Sequence, residues 1–435
     1  FWIDEDSICL AHRCLLLFVP IRIGTCREEW EGRGSGGNKT FFKTTQTEME
    51  NAVTAVIMLG SSGSTPAELL VHNARRKAAL ATIQALAGLA QIKQIVVASP
   101  QSERATWQGL HDFVPDSTKL VWDADNPSQE FHFGRRLSDI VHKYALERVL
   151  YVGGGSMPLI GKRILDNVVS YLSTAGARRA ITNNIHSSDW LGFTDASALI
   201  RFAARLPRDN MLGWVLRERA AFAVRVLPSS AATRLDIDTP TDLMALRWHP
   251  DTPSSLRSYL IEQLPEPPLS RWQAAARVLD TPGSRVALIG RVAPNVWTTL
   301  QHNTQVWIRV FSEEQGMTAS GRWGGGRVKS WLADYMEHAG QSSVFKQLGD
   351  MVDAAFFDTR VYLAHGGKWP STADRYASDL GQPEHISDLR LRSFTEAALE
   401  CRAPVVLGAF GAVSGGIYAL VETLQTGKGW LSRES

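Results

Sequence analysis

Apolar runs and helical stripes alternate between residues 53 and 248. Residues 53–59 (VTAVIML) form a continuous apolar run, which marks a strand buried on both faces of a parallel sheet. Residues 77–89 set Leu80, Ile83, Leu86 and Leu89 on one face of a helix. Residues 95–98 and 119–122 read as the second and third strands, and 134–144 as a helix. A fourth strand is expected at 148–152, a helix at 159–172, and later strands at 180–183 and 221–227. The alternation predicts an α/β fold around a mainly parallel sheet, with ligands beyond the carboxyl ends of its strands.

Proline then becomes dense: Pro250, Pro253, Pro265, Pro267 and Pro268 fall within 249–270. This stretch reads as an interdomain connection holding at most one short helix, SLRSYLIEQL. A second α/β pattern occupies 271–435. Its strands are expected at 285–289, 306–311, 354–358 with 361–363, and 404–407. A glycine-rich loop, GAFGAVSGG at 408–416, precedes a helix-like segment. Residues 1–48 lack this order and hold three of the four cysteines. They are expected to be a leader, non-native or disordered, with the folded part starting at Met49. The expected domains are therefore 49–248 and 271–435.

Composition narrows the function classes. Forty-six basic and 44 acidic side chains give a formal net charge of +2, so no global field draws the chain onto nucleic acid or an anionic membrane. No apolar run is long enough to predict a membrane span. Only Cys401 lies beyond the leader. That excludes a disulfide framework and a cysteine zinc site there, and it suits a reducing cytoplasm.

Several segments carry candidate chemistry. In DIDTPTDL (236–243), Asp236 and Asp238 are expected where a strand gives way to a helix. They read either as ligands for a divalent cation beside phosphate oxygens or as a plain helix cap. Gly60-Ser61-Ser62-Gly63-Ser64 follows the first strand and reads as a phosphate cradle or a tight turn. Arg75, Arg76 and Lys77 follow it, either to neutralise phosphates or as a solvated helix start. Gly153-Gly154-Gly155-Ser156 ends the fourth strand, either for a sharp bend or so that something approaches the backbone. Gly134 and Arg135 sit at a helix start, where arginine pairs with phosphate or is merely exposed. In 271–435, Ser414-Gly415-Gly416 is an anion-site candidate. Glu313, Glu314, Asp358, His365, Asp374 and Asp379 there read better as salt-bridged loops.

The order of these motifs in 53–248 resembles the nucleotidyltransferases of the molybdenum-cofactor and lactate-guanylyl type. The resemblance rests on VTAVIMLGSSGS, on Gly134-Arg135-Arg136 before the fourth strand, and on Asp236, Asp238, Thr239, Pro240, Asp242 and Leu243. It implies a Rossmann-like, glycosyltransferase-A-type nucleotidyltransferase domain, followed here by a second α/β domain. It also implies a nucleoside triphosphate, a small-molecule acceptor and Mg2+ as cofactor. By this resemblance Asp236 and Asp238 are the metal and catalytic residues. Gly60, Ser61, Ser62, Gly63, Ser64, Lys77, Gly134, Arg135, Gly155 and Ser156 are the nucleotide-binding ones. Two departures stand out. Ser156-Met157-Pro158 replaces the family's magnesium-binding Asp-x-Pro, and Thr65-Pro66-Ala67 stands where its loop arginine is usual. Such losses correspond to roughly a thousandfold in rate, with Asp123 or Asp125 as candidates to help hold one ion. The expected function is transfer of a nucleoside monophosphate to a small phosphorylated or cofactor-like acceptor with pyrophosphate release. The alternatives are a catalytically degenerate nucleotide- or sugar-nucleotide-binding regulatory protein, or a separate activity in 271–435.

Overall fold

Seven strands build the first sheet: β1 (Val53–Met58), β2 (Ile92–Ser99), β3 (Lys119–Ala124), β4 (Arg148–Gly153), β5 (Arg179–Thr182), β6 (Trp190–Thr194) and β7 (Ala223–Val226). The computed structural model describes residues 51–61 and 63–426, so the 1–48 leader and Ser62 lie outside the described residues. The strand order is β3-β2-β1-β4-β6-β5-β7. All pairings are parallel except those of β6, which runs antiparallel to both β4 and β5. The first four positions follow the doubly wound Rossmann order, and the inserted β6 departs from it. Strand alternation divides β1 between two cores. Val53, Ala55 and Ile57 pack on one side, and Val56 and Met58 on the other.

Helix α1 (Pro66–Ala87) starts a full three turns before the expected 77–89 segment. Thr65 caps it, Glu68 completes a capping box, and Pro66 occupies the first turn. Helices α2 (Phe133–Lys143) and α3 (Lys162–Thr174) cover opposite faces of the sheet. Strand β6 was not foreseen. It is five residues long and buried throughout, too short to show a period. The 221–227 run becomes the edge strand β7, whose residues are mostly exposed. Its apolar look comes from Phe222 and Val224, which pack onto a helix rather than into a two-sided sheet.

The second sheet is fully parallel: β8 (Arg285–Gly290), β9 (Trp307–Ser312), β10 (Ala354–Asp358) and β11 (Val405–Gly408), in the order β11-β10-β8-β9. Residues 361–363, expected as strand, lie in the short helix Arg360–Ala364 because the chain turns after Asp358. The proline-rich stretch is largely helical, with helices Ser254–Gln263 and Glu266–Leu279. Leu256, Leu260 and Leu269 of these helices are buried, so the stretch is part of the core. That core joins the two sheets. Leu70 and Val71 of α1, Leu243 and Met244 of α4 (Pro240–Trp248), Trp272, and Leu288 and Phe356 of the second sheet belong to one cluster. The described residues accordingly form one compact unit. Among the described residues no helix is long and apolar enough to cross a membrane.

Candidate functional site

The carboxyl ends of β1, β2 and β4 open into a cavity of about 770 Å³. Gly60 and Ser61 line it from the β1 loop, Gly153 to Ser156 from the end of β4, and Asp236 to Asp238 from the segment before α4. Arg75 projects into it from α1, and Phe131, Pro207 and Arg208 line it as well. This is the edge at which ligands of open α/β sheets bind.

The two aspartates reach the cavity by a route the sequence did not show. A short helix, Ala231–Arg234, separates them from β7, so they do not sit at that strand's end. The segment instead crosses back over the sheet and docks on the end of β4. The N–H of Ile237 donates to the carbonyl of Gly155 at 3.0 Å. A side chain at Gly155 would stand 2.8 Å from the Ile237 carbonyl and 3.1 Å from the Asp236 carboxylate, so only glycine permits the docking. Arg75 completes the hold, its Nε donating to the Ile237 carbonyl at 2.5 Å and its Nη2 to the Asp238 carbonyl and carboxylate at 3.3 Å. Gly155 of GGGSMP thus serves close approach by the protein's own backbone. Ser156, 3% exposed, donates its hydroxyl to the Asp189 carbonyl at 2.7 Å.

The cavity is acidic. Five carboxylates line it (Asp125, Glu130, Asp209, Asp236, Asp238) against two arginines, Arg75 and Arg208. Burial pushes the Asp236 carboxyl well above its usual range, and the charges of Asp238 and Asp189 add to this. Burial also raises Asp189 to about 7, with Asp238 adding and a hydrogen bond from Asn183 opposing. Asp209 is raised by burial although Tyr151 donates to it at 2.8 Å. Asp189 and Asp209 were not foreseen: one lies in a loop and the other starts a short 3-10 helix, neither has motif context, and only the fold brings them near the other acids. Carboxyls raised by burial and by one another's charge in a cleft mark a candidate functional site.

Asp242 belongs to the same network by another route. It is the third residue of α4, and its Oδ2 accepts from the N–H of Asp238, the N–H of Thr239 and the Thr239 hydroxyl. Its Oδ1 is buried without a hydrogen-bond partner. Burial pushes this carboxyl up to about 7, Asp238 adds to the rise, and the Thr239 hydrogen bonds oppose it. The folded value lies above the unfolded one, so the folded state holds its proton more tightly. Stability from this group is complete below about pH 4 and is lost as pH rises through about 7. Asp242→Asn mimics the protonated acid and keeps the acceptor for the cap. Its stability relative to the wild type is expected to improve by on the order of 2–3 kcal/mol between pH 5 and pH 8. Urea denaturation at both pH values checks this, and a constant difference between the two proteins would count against it.

The remaining expected site residues divide. Arg75, Arg76 and Lys77 are consecutive on α1 and point to different sides, as helix geometry requires. Arg75 faces the cavity, Arg76 binds Glu103 and Thr106, and Lys77 lies over the Tyr259 ring at 5.4 Å. Lys77 is therefore not at the cavity, and Arg75 is the cation there. Gly63 and Ser64 turn toward Glu68 instead. The Ser64 and Thr65 N–H groups both donate to the Glu68 carboxylate at 3.1 Å, so among the described residues of the loop Gly60 and Ser61 line the cavity. Gly134 is a packing glycine: a side chain there would strike the Ala203 carbonyl and Leu206. Arg135 is exposed and outside the cavity lining, whereas Arg136 pairs with Asp123 and Asp125 at 2.8 Å each. Asp123 is occupied by Arg136, Lys143 and Tyr144. Asp125 alone of that pair lines the cavity.

In the second half, Gly415 and Gly416 are also packing glycines. Side chains there would strike the Arg234–Leu235 backbone and the Gly411 carbonyl. Asp358 binds Arg291 at 2.6 and 3.1 Å, and Asp379 binds Arg360 at 2.6 and 3.0 Å, so these acids form salt-bridged structure. Among the described residues, the one group of three potential metal ligands with donor atoms within 4.8 Å of one another is Asp334, Glu337 and His365. Its chemistry argues against a metal. The Ser330 N–H donates to His365 Nδ1 at 3.1 Å, which leaves the proton on Nε2, beside Asp334 at 3.3 Å. A metal-binding histidine normally donates from its other nitrogen, the reverse arrangement.

No family model matches the sequence, and no curated protein matches it. Solved structures with some likeness include a candidate nucleotide-diphospho-sugar transferase from Desulfovibrio desulfuricans, at 15% identity and a TM-score of 0.35, covering 48% of this chain and 94% of that one. A cytidylyltransferase from Leptospira borgpetersenii shows 19% identity and a TM-score of 0.33, covering 48% and 92%. A 4-diphosphocytidyl-2C-methyl-D-erythritol synthase from Anaerococcus prevotii shows 11% identity and a TM-score of 0.32, covering 50% and 99%. Scores of this size leave the fold and the site resting on the chain's own geometry.

Proposed function

We propose that the cavity binds a nucleoside triphosphate together with a magnesium ion, and that the protein transfers the nucleoside monophosphate to a small phosphorylated or cofactor-like acceptor. The supporting observation is the docking of Ile237 on Gly155, which sets Asp236 and Asp238 at the same cavity as Gly60 and Ser61. Acids and a glycine turn at one cavity support the reading that the sequence resemblance implies.

The donor set suits magnesium. Carboxylate oxygens are hard ligands, and this ion is usually held by one or two carboxylates plus phosphates and waters. The cavity's excess of acidic over basic side chains also favours a cation beside an entering triphosphate. Asp236 and Asp238 are the residues to hold it. When bound, the ion supplies charge neutralisation at the phosphates. The chain's own part is placement: Gly60 and Ser61 allow close approach to phosphate, and Arg75 offers a guanidinium to phosphate oxygens. In the reaction an acceptor oxygen forms a bond to the α-phosphorus, the bond to pyrophosphate breaks, and the acceptor's proton is released to solvent.

Ser156 favours a second reading, binding without turnover, because its hydroxyl is committed to the Asp189 carbonyl. One experiment separates the two. The protein is incubated with Mg2+, each nucleoside triphosphate and a panel of phosphorylated acceptors while pyrophosphate and melting temperature are followed. Pyrophosphate release supports transfer. A thermal shift without pyrophosphate supports binding alone, and neither signal defeats both readings.

A further inference from the structure

We infer that the second half of the chain completes the candidate metal site through Tyr376, a positioning residue for Asp238; this rests on the nucleotidyl-transfer reading above. The Tyr376 hydroxyl donates to the Asp238 carbonyl at 2.7 Å. Among the described residues, the other hydrogen bonds of Ile237 and Asp238 come from within residues 75–242, while Ile237 also packs in the core shared with the second sheet. The Asp238 N–H goes to Asp242 at 3.0 Å, Ile237 is tied to Gly155, and Arg75 grips the carbonyls of Ile237 and Asp238. The Asp238 side chain itself is 64% exposed, so its direction depends on how firmly its backbone is held.

Arg75 is an unreliable anchor for that purpose. Its bonds to Asp238 are 3.3 Å long, and it is the cation that an incoming phosphate competes for. Tyr376 carries no charge, lies outside the cavity lining and is therefore not a group for which an incoming phosphate competes. It stands on α5 (Thr372–Asp379), a helix held rigidly by the second sheet. Asp379 at the end of that helix accepts both arms of the buried Arg360, which follows β10. Ser378 bonds Thr395 at 2.7 Å. A rigid support from one half thus reaches the carbonyl of a ligand residue in the other. Supports of this kind set how well a ligand is aimed.

The test is Mn2+ binding to the full chain, read by the electron-paramagnetic signal of free Mn2+, with and without nucleoside triphosphate. Tyr376→Phe removes one oxygen and keeps the ring. Tyr259→Phe is the matched control, since its hydroxyl also donates to a carbonyl, that of Leu70 at 3.2 Å, away from the cavity. Tyr376→Phe is expected to weaken Mn2+ binding about tenfold, and Tyr259→Phe to leave it within about twofold, with similar small losses in melting temperature. Tyr376→Leu, a second variant, is expected to match Tyr376→Phe. Wild-type affinity in Tyr376→Phe, or an equal loss in Tyr259→Phe, overturns the positioning role while leaving the function reading intact. Absence of Mn2+ binding in the wild type under all conditions overturns the function reading and this inference with it.

Discussion

Asp238→Asn is expected to lower nucleotidyl transfer by about a thousandfold or more, on the scale of losing one charge-stabilising group at a transition state. Steady-state pyrophosphate release measures it. The same substitution carries a second expectation that a simple folding defect does not. The Asp238 charge helps raise four other carboxyl groups, those of Asp189, Asp209, Asp236 and Asp242. Removing it relieves that repulsion. Its own ion pair with Arg75 is long and solvent-exposed, so little is lost with it. At pH 8 without divalent ions, Asp238→Asn is therefore expected to melt higher than the wild type. Adding Mg2+ and nucleotide is expected to stabilise the wild type and not the variant. Retention of a tenth or more of wild-type turnover removes Asp238 from the machinery. A lower melting temperature at pH 8 removes the electrostatic argument.

Gly411→Ala is expected to destabilise the protein by about 3 kcal/mol or more, the upper range for forcing atoms into a packed interior. Gly411 follows β11, in the second half, and a side chain there would collide with the carboxylate of Asp242. That carboxylate is 1% exposed and tied by three hydrogen bonds to Asp238 and Thr239. The collision has no flexible side chain to absorb it. Beside it, the Thr241 hydroxyl donates to the Leu407 carbonyl at 2.7 Å, so the start of α4 is seated on the end of β11. The strain would pass along this seat to Asp238, and activity is expected to fall with stability. Chemical denaturation checks the first effect. Gly60→Ala is the contrast, because space beside Gly60 is open and its stability is expected to change by less than about 1 kcal/mol. Equal stability of Gly411→Ala and the wild type would show that the seat is loose.

Local pattern made much of the architecture legible. Continuous apolar runs such as 53–59 announce buried parallel strands because a strand covered on both faces has no polar side to show. The second sheet was equally readable, with β8 to β11 each within about two residues of the expected runs. The helix start in DIDTPTDL was legible because capping is a short-range feature, and Thr239 does cap α4, with Asp242 completing a box. The errors share one cause. Strand β6, the exposure of β7 and the helices within 249–270 depend on partners distant in the chain, which no local period encodes.

The same division holds for the site. Sequence alone was enough to nominate Asp236, Asp238, Gly60 and Ser61, and the cavity gathers all four. It pointed to Lys77 rather than Arg75, and to Arg135, and neither Lys77 nor Arg135 lines the cavity. Neighbouring residues on a helix point in different directions, and only packing decides which direction faces the cavity. Nor did it reveal Asp189, Asp209 or Tyr376. Their relevance arises from proximity across 29 to 138 residues of chain, taking Tyr376 to Asp238 as the longest span and Asp209 to Asp238 as the shortest. Residue chemistry is written in the sequence, but the charge field that shifts these carboxyls and the tyrosine that braces Asp238 exist only once the chain is folded.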